Sequence, residues 1–119
     1  MTTGALPSVD GRVFADVTAD HAGDVGADTR FEYHEEADGV VWARYHGGSV
    51  RLGYLVGARS GDRLDFRYSH VTVEGGTASG RCRSEIVMLD DGRLEFHESW
   101  NWESQPGAGT SVVREVTRS

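Results

Sequence analysis

Turn-forming residues recur through this chain at near-regular intervals, and that spacing constrains the fold more than any other feature. Clusters fall at Ala37-Asp38-Gly39, Gly47-Gly48, Ser60-Gly61-Asp62, Glu74-Gly75-Gly76, Asp90-Asp91-Gly92 and Pro106-Gly107-Ala108-Gly109. Each supplies residues that tolerate positive φ, as a tight hairpin requires. The runs between them are about 8 to 12 residues long and rich in Val, Tyr, Phe, Trp and Arg, the pattern of an all-β meander. With an opening strand near Arg12–Val17, the spacing predicts eight strands: 12–17, 29–36, 40–46, 49–59, 63–73, 77–88, 93–103 and 110–118. No segment sustains a helical period. Eight consecutive hairpin-linked strands best protect their edges by closing into an antiparallel up-and-down β-barrel.

A chain of 119 residues is one domain. The expected organisation is a single barrel over 1–119, with 1–10 as a flexible N-terminus and 18–28 as a long loop at the barrel mouth. The 19 carboxylates outweigh 12 bases for a net charge of −7, and every base is arginine. Such a balance argues against a nucleic-acid or acidic-membrane partner. Without lysine there is no Schiff-base or phosphate-loop lysine. The lone Cys82 excludes an intramolecular disulfide and a thiolate-rich zinc site. No apolar run approaches the roughly 20 residues of a membrane-spanning helix. Met1–Asp10 lacks the basic start and apolar stretch of a signal peptide, so the expected location is cytoplasmic.

The turns also predict register. Pairing across Asp38 sets Tyr33 opposite Ala43 inside and Glu32 opposite Arg44 outside. Across Gly47-Gly48, Tyr45 meets Val50, Ala43 meets Leu52 and Val41 meets Tyr54. Across Gly75, Tyr68 meets Cys82, Phe66 meets Ser84 and His70 meets Gly80. Across Asp91, Ser84 meets Glu98, Cys82 meets Trp100 and Ile86 meets Phe96. Strand alternation then turns all four tyrosines (33, 45, 54, 68) inward, together with Trp100 and Trp102. One end of the interior is plugged by Val41, Val56, Leu64, Ile86, Met88, Leu94 and Phe96. The other end, beside the 18–28 loop, is aromatic and polar-tipped. An eight-stranded barrel is just wide enough to be filled or to hold one small ligand, and this gradient describes a pocket.

The segments Phe31-Glu32-Tyr33, Tyr45-His46-Gly47-Gly48, Gly53-Tyr54-Leu55-Val56-Gly57, Phe66-Arg67-Tyr68, Ser79-Gly80-Arg81-Cys82-Arg83-Ser84 and His97-Glu98-Ser99-Trp100-Asn101-Trp102 carry a resemblance. Over roughly residues 30–103 the chain resembles a family of small bacterial calycin-like single barrels, lipocalin- or avidin-like. Members of that family often bear an N-acetylglutamate synthase label. The resemblance implies the barrel; an acetyl-coenzyme-A site would need a helix N-terminus or phosphate-cradling loop.

Glu98 is the leading candidate among individual residues. Its inward neighbours are apolar or hydroxyl-bearing, so burial should raise its pKa and suit it to acid–base work or to gripping a cation. The competing reading is a structural carboxylate bonded to Ser84 and a tyrosine hydroxyl. Tyr33, Tyr45, Tyr54, Tyr68, Ser84, Trp100 and Trp102 form the expected ligand-binding set, since buried hydroxyl and indole groups need partners. His70, near the mouth, is either a wall residue or a proton-transfer partner. Cys82 reads as a small buried hydrophobe. The Asp20-His21, Asp24 and Asp28 group lacks calcium-loop spacing, and His34 and His97 point outward, so neither metal nor cofactor is expected. Two function classes follow: capture of a small molecule, or cofactor-independent catalysis of isomerase or cyclase type by Glu98 with His70 or a tyrosine. Outward Trp42 and Leu55 mark the surface on which a homodimer would form.

Overall fold

The computed structural model describes residues 6–18 and 25–116. Eight strands follow one another: β1 (Val13–Asp16), β2 (Arg30–Glu35), β3 (Val40–Gly47), β4 (Val50–Ser60), β5 (Arg63–Thr72), β6 (Thr77–Met88), β7 (Leu94–Trp102) and β8 (Ala108–Glu115). Each pairs antiparallel with the next, and β1 also pairs with β8, closing the barrel. Closure leaves no unpaired edge to recruit other chains. The turn spacing places the strands well, β8 alone being displaced, from 110–118 to Ala108–Glu115.

Three of the expected registers need comment. Across the Asp90-Asp91-Gly92 turn, where Gly92 takes φ 89°, the pairs Ser84–Glu98, Cys82–Trp100 and Ile86–Phe96 form as expected. Between β5 and β6 the register slips by two, so Tyr68 faces Gly80 and Phe66 faces Cys82. An even slip keeps every side chain on its face. Between β3 and β4 the slip is odd, because a bulge lies between Tyr45 and Gly47 and pairs Tyr45 with Gly53. Gly47 and Gly48 provide the φ values of 112° and 63° that the bulged turn needs. An odd slip inverts β4. Leu55 is therefore buried at 2% exposure, while Tyr54 and Val56, expected inside, lie outside at 49% and 60%. The outward apolar pair expected at Trp42 and Leu55 becomes Trp42, Tyr54 and Val56, with Trp42 also stacked on His34 at 4.1 Å.

The closed end of the barrel is apolar. Phe14 stacks on Phe96 at 4.2 Å, and Tyr33 meets both rings edge-on at 5.3 and 5.2 Å. Val41, Leu64, Ile86, Leu94 and Val113 fill the space around them. Met88 shares the inward parity but lies at the strand's end, where it is 49% exposed and plugs nothing. Residues 6–10, read from the sequence as part of a flexible terminus, lie across this end with Val9 fully buried. The Arg59 guanidinium anchors them by donating to the Pro7 carbonyl at 2.8 Å and to Glu35 at 3.0 Å, while Glu35 accepts the Val9 N–H at 2.9 Å.

Outer faces carry charge pairs. Arg81 donates two hydrogen bonds to Asp65 across β5 and β6, and Arg67 does the same to Glu103. Arg114 reaches Glu95 at 2.7 Å. The first two pairs are exposed, and exposed pairs contribute little, of order 0–1 kcal/mol each, whereas Glu95 is buried.

The contrast between the two ends gives a stability test. Phe96→Ala should cost about 3–5 kcal/mol, because a stacked ring leaves a cavity the barrel cannot collapse around. Met88→Ala should cost under about 1 kcal/mol. Denaturant unfolding of both variants checks this, and equal losses would contradict the placement of the core.

Candidate functional site

Above the apolar floor the interior opens into a cavity of about 220 Å³. It lies toward the end carrying the β1–β2, β3–β4, β5–β6 and β7–β8 connections, and every strand contributes to its wall. Asp16 comes from β1, Phe31 from β2, Tyr45 from β3 and Leu55 from β4. Phe66, Tyr68 and His70 come from β5, Cys82 from β6, Glu98, Trp100 and Trp102 from β7, and Ala108 to Ser111 from β8. Thr18 and Val25, flanking the undescribed residues 19–24 of the β1–β2 loop, complete the rim.

Cross-strand pairs of glycine and aromatic ring build these walls. Tyr45 faces Gly53, Phe66 faces Gly57, Tyr68 faces Gly80 and Trp100 faces Gly109. The rings of Tyr45, Tyr68 and Trp100 lie over the space a side chain on the partner glycine would take, whereas at Gly57 that space meets the backbone of Asp65 and Phe66. A Cβ at Gly109 would come within 2.7 Å of Trp100 Cζ2, and Cβ atoms at Gly53 and Gly80 would overlap Tyr45 and Tyr68. Small residues opposite large ones let several rings enter a narrow barrel. The rings then support one another: Phe31 stacks on Tyr45 at 5.0 Å, and Trp102 meets Tyr68, Trp100 and His70 edge-on at 5.6, 5.7 and 5.9 Å. The buried His70 is held by its Nδ1, which lies 2.9 Å from the Tyr45 hydroxyl.

Glu98 sits where the aromatic wall meets the floor. It is partly buried and lines the cavity. Ser111 donates to Glu98 Oε1 at 2.8 Å, and the Ser84 hydroxyl also bonds the carboxylate. Loss of hydration penalises the charged form more than these two hydroxyls favour it, and the nearby Asp16 carboxylate adds to the penalty. The Glu98 pKa is accordingly pushed up from 4.5 to about 7. Burial likewise raises the Tyr68 hydroxyl and the Cys82 thiol, so Cys82 is protonated and no nucleophile. Tyr33 lies beneath, with its hydroxyl buried and without a hydrogen-bond partner among the described residues.

Of the residues selected from sequence, Glu98, His70, Tyr45, Tyr68, Trp100 and Trp102 share this cavity. Ser84 lies behind the wall, bonded to Glu98. Tyr33 belongs to the floor and Tyr54 to the outer surface, the latter because of the β3–β4 bulge. Asp16, Ser111 and Phe31 escaped the sequence reading. Asp16 and Ser111 stand on the first and last strands, whose register no tight turn fixes; Phe31 needed only the Tyr33 parity carried two residues back. Asp28 is exposed, whereas Asp20, His21 and Asp24 lie outside the described residues.

Two measurements follow from these environments. Tyr33→Phe should leave stability unchanged or raise it by about 1–3 kcal/mol, since the removed hydroxyl is buried and unpaired. A loss above about 1 kcal/mol would show that the hydroxyl has a partner. For Glu98, the folded chain keeps a proton that the unfolded chain releases above about pH 4.5, so stability declines from there to about pH 7 and then levels. Glu98→Gln removes that decline. The variant should match the wild type at low pH and exceed it above pH 7 by up to about 3 kcal/mol, read from denaturant unfolding at both extremes. A pH-independent gap would contradict the buried carboxylate.

Among the described residues no helix is long and apolar enough to cross a membrane. No curated protein matches the chain. A family model described as avidin-like protein matches residues 7–116, which takes in all eight strands and the docked N-terminal segment. With that match and the closed eight-stranded barrel agreeing, the chain belongs to the avidin-like protein family.

Proposed function

We propose that this protein captures a small molecule in its barrel cavity. The observation that carries the reading is the placing of Glu98, Tyr68, Trp100 and Trp102 around one cavity above a sealed apolar floor. Small-molecule sites combine apolar and aromatic walls with a few polar groups that orient the ligand, which is the composition found here. An ordinary core would place the carboxylate outside and fill the space. Native mass spectrometry of the purified protein should show a retained small molecule. Trp100→Ala should lose it, whereas Tyr54→Ala, on the outer face, should keep it. A retained mass that survives Trp100→Ala, or one lost in Tyr54→Ala, would place the ligand elsewhere.

A second reading has one observation in its favour. The Tyr45–His70 pair, 2.9 Å apart, borders the same cavity as Glu98. A carboxylate with a pKa near neutrality and a hydrogen-bonded histidine are the components of general acid–base catalysis without a cofactor. An isomerase or cyclase of that kind would release a product altered in structure but not in mass. Chromatography of the molecule before and after incubation with the protein separates this outcome from simple capture.

A further inference from the structure

Among the described residues, Asp16, Glu98 and His70 border the cavity, no arginine lines it, and the chain's 12 basic residues include no lysine. Arginines engage carboxylates on the outer face or at the closed end, as in Arg81–Asp65, Arg67–Glu103, Arg114–Glu95 and Arg59–Glu35. Among the described residues Glu98 bonds the hydroxyls of Ser111 and Ser84, and the groups that shift its titration include no cation. A carboxylate has about four acceptor positions, so two hydroxyls leave it room for a further donor. The rings of Tyr68, Trp100 and Trp102 line the cavity beside it, and aromatic faces attract cations in dry surroundings. A net charge of −7 also draws cations toward the mouth and repels anions.

Volume limits the rest of the ligand. A dry protein cavity of about 150 Å³ accommodates benzene. The 220 Å³ here leaves room for one ring and a short chain. Resting on the small-molecule reading above and narrowing it, we propose that the ligand is an aryl-alkylammonium ion, its ring among Tyr68, Trp100 and Trp102 and its cationic nitrogen at Glu98. An anionic ligand of the same size would bring its charge against the Glu98 carboxylate.

The proposal has a consequence for protons. A cation at Glu98 favours the ionised carboxylate, so binding below about pH 7 releases a proton. Among the described residues, the other titratable groups bordering the cavity or facing Glu98 are Asp16 on β1, Tyr33 on β2, Tyr45 on β3, Tyr68 and His70 on β5, and Cys82 on β6. From β4 and β8 come the non-titrating Leu55 and Ser111. Burial keeps Tyr33, Tyr68 and Cys82 protonated throughout that range. Comparison with Glu98→Gln separates Glu98 from the remaining groups.

Isothermal titration calorimetry with 2-phenylethylamine, 2-phenylethanol and 3-phenylpropionate tests this directly. The amine should bind about ten- to a hundredfold more tightly than the alcohol, the usual advantage of a charged hydrogen bond, and the acid should bind weakest. At pH 6, heats measured in two buffers of different ionisation enthalpy should show proton release on amine binding. In Glu98→Gln the amine and alcohol affinities should come within about threefold of each other, and the released proton should disappear. Alcohol or acid binding as tightly as the amine overturns the inference while leaving the small-molecule reading intact. An amine preference that persists in Glu98→Gln also overturns it, by placing the cation elsewhere. Binding of none of the three, with a retained molecule lacking any basic nitrogen, overturns the inference alone. If nothing is retained either, both readings fall together.

Discussion

Three rings enter this narrow barrel because three glycines stand opposite them. Tyr45, Tyr68 and Trp100 each cross the backbone of a glycine on the neighbouring strand, at Gly53, Gly80 and Gly109. Eight strands enclose little more space than their own side chains occupy, so large inward residues on both members of a pair would overlap. Pairing large with nothing solves that problem locally and fixes each ring's position. The cavity is the space left where the rings end. Any of these glycines replaced by a larger residue would displace the wall rather than merely crowd it.

The same enclosure sets the electrostatics of Glu98. Few polar groups reach it besides the hydroxyls of Ser84 and Ser111, and the Asp16 carboxylate opposes its ionisation. An apolar residue would fill the position at lower cost, because a carboxylate taken from water loses far more than two hydroxyls return. Four of the twelve arginines meanwhile pair with Asp65, Glu103, Glu95 and Glu35 away from the cavity. The barrel thus separates a charge-paired exterior from an interior where Asp16, Glu98 and His70 border the cavity.

Much of this was legible in the sequence, and the failures have physical causes. Strand number and order follow from turn residues, which act locally. The β6–β7 register is legible through Asp90-Asp91-Gly92, a tight turn with a single geometry, and it brings Glu98, Trp100 and Trp102 inward correctly. The β3–β4 turn contains two adjacent glycines and therefore admits a bulge. Nothing in Gly47-Gly48 alone announces the extra residue, and one residue is enough to exchange Tyr54 for Leu55. Asp16 was hidden for a different reason. Its strand is four residues long and enters through a loop instead of a hairpin, so its facing depends on closure with β8. Closure is a property of the whole sheet, which local signals do not report.

Direct titration of Glu98 tests the central claim, that the barrel holds this carboxylate out of water inside the cavity. Following the Glu98 side-chain carboxyl carbon by NMR across the pH range, in the ligand-free protein, should give a midpoint near 7. A midpoint near 4.5, the value of a solvated glutamate, would contradict the account, because the group would then be hydrated and the electrostatic basis of the site would be gone.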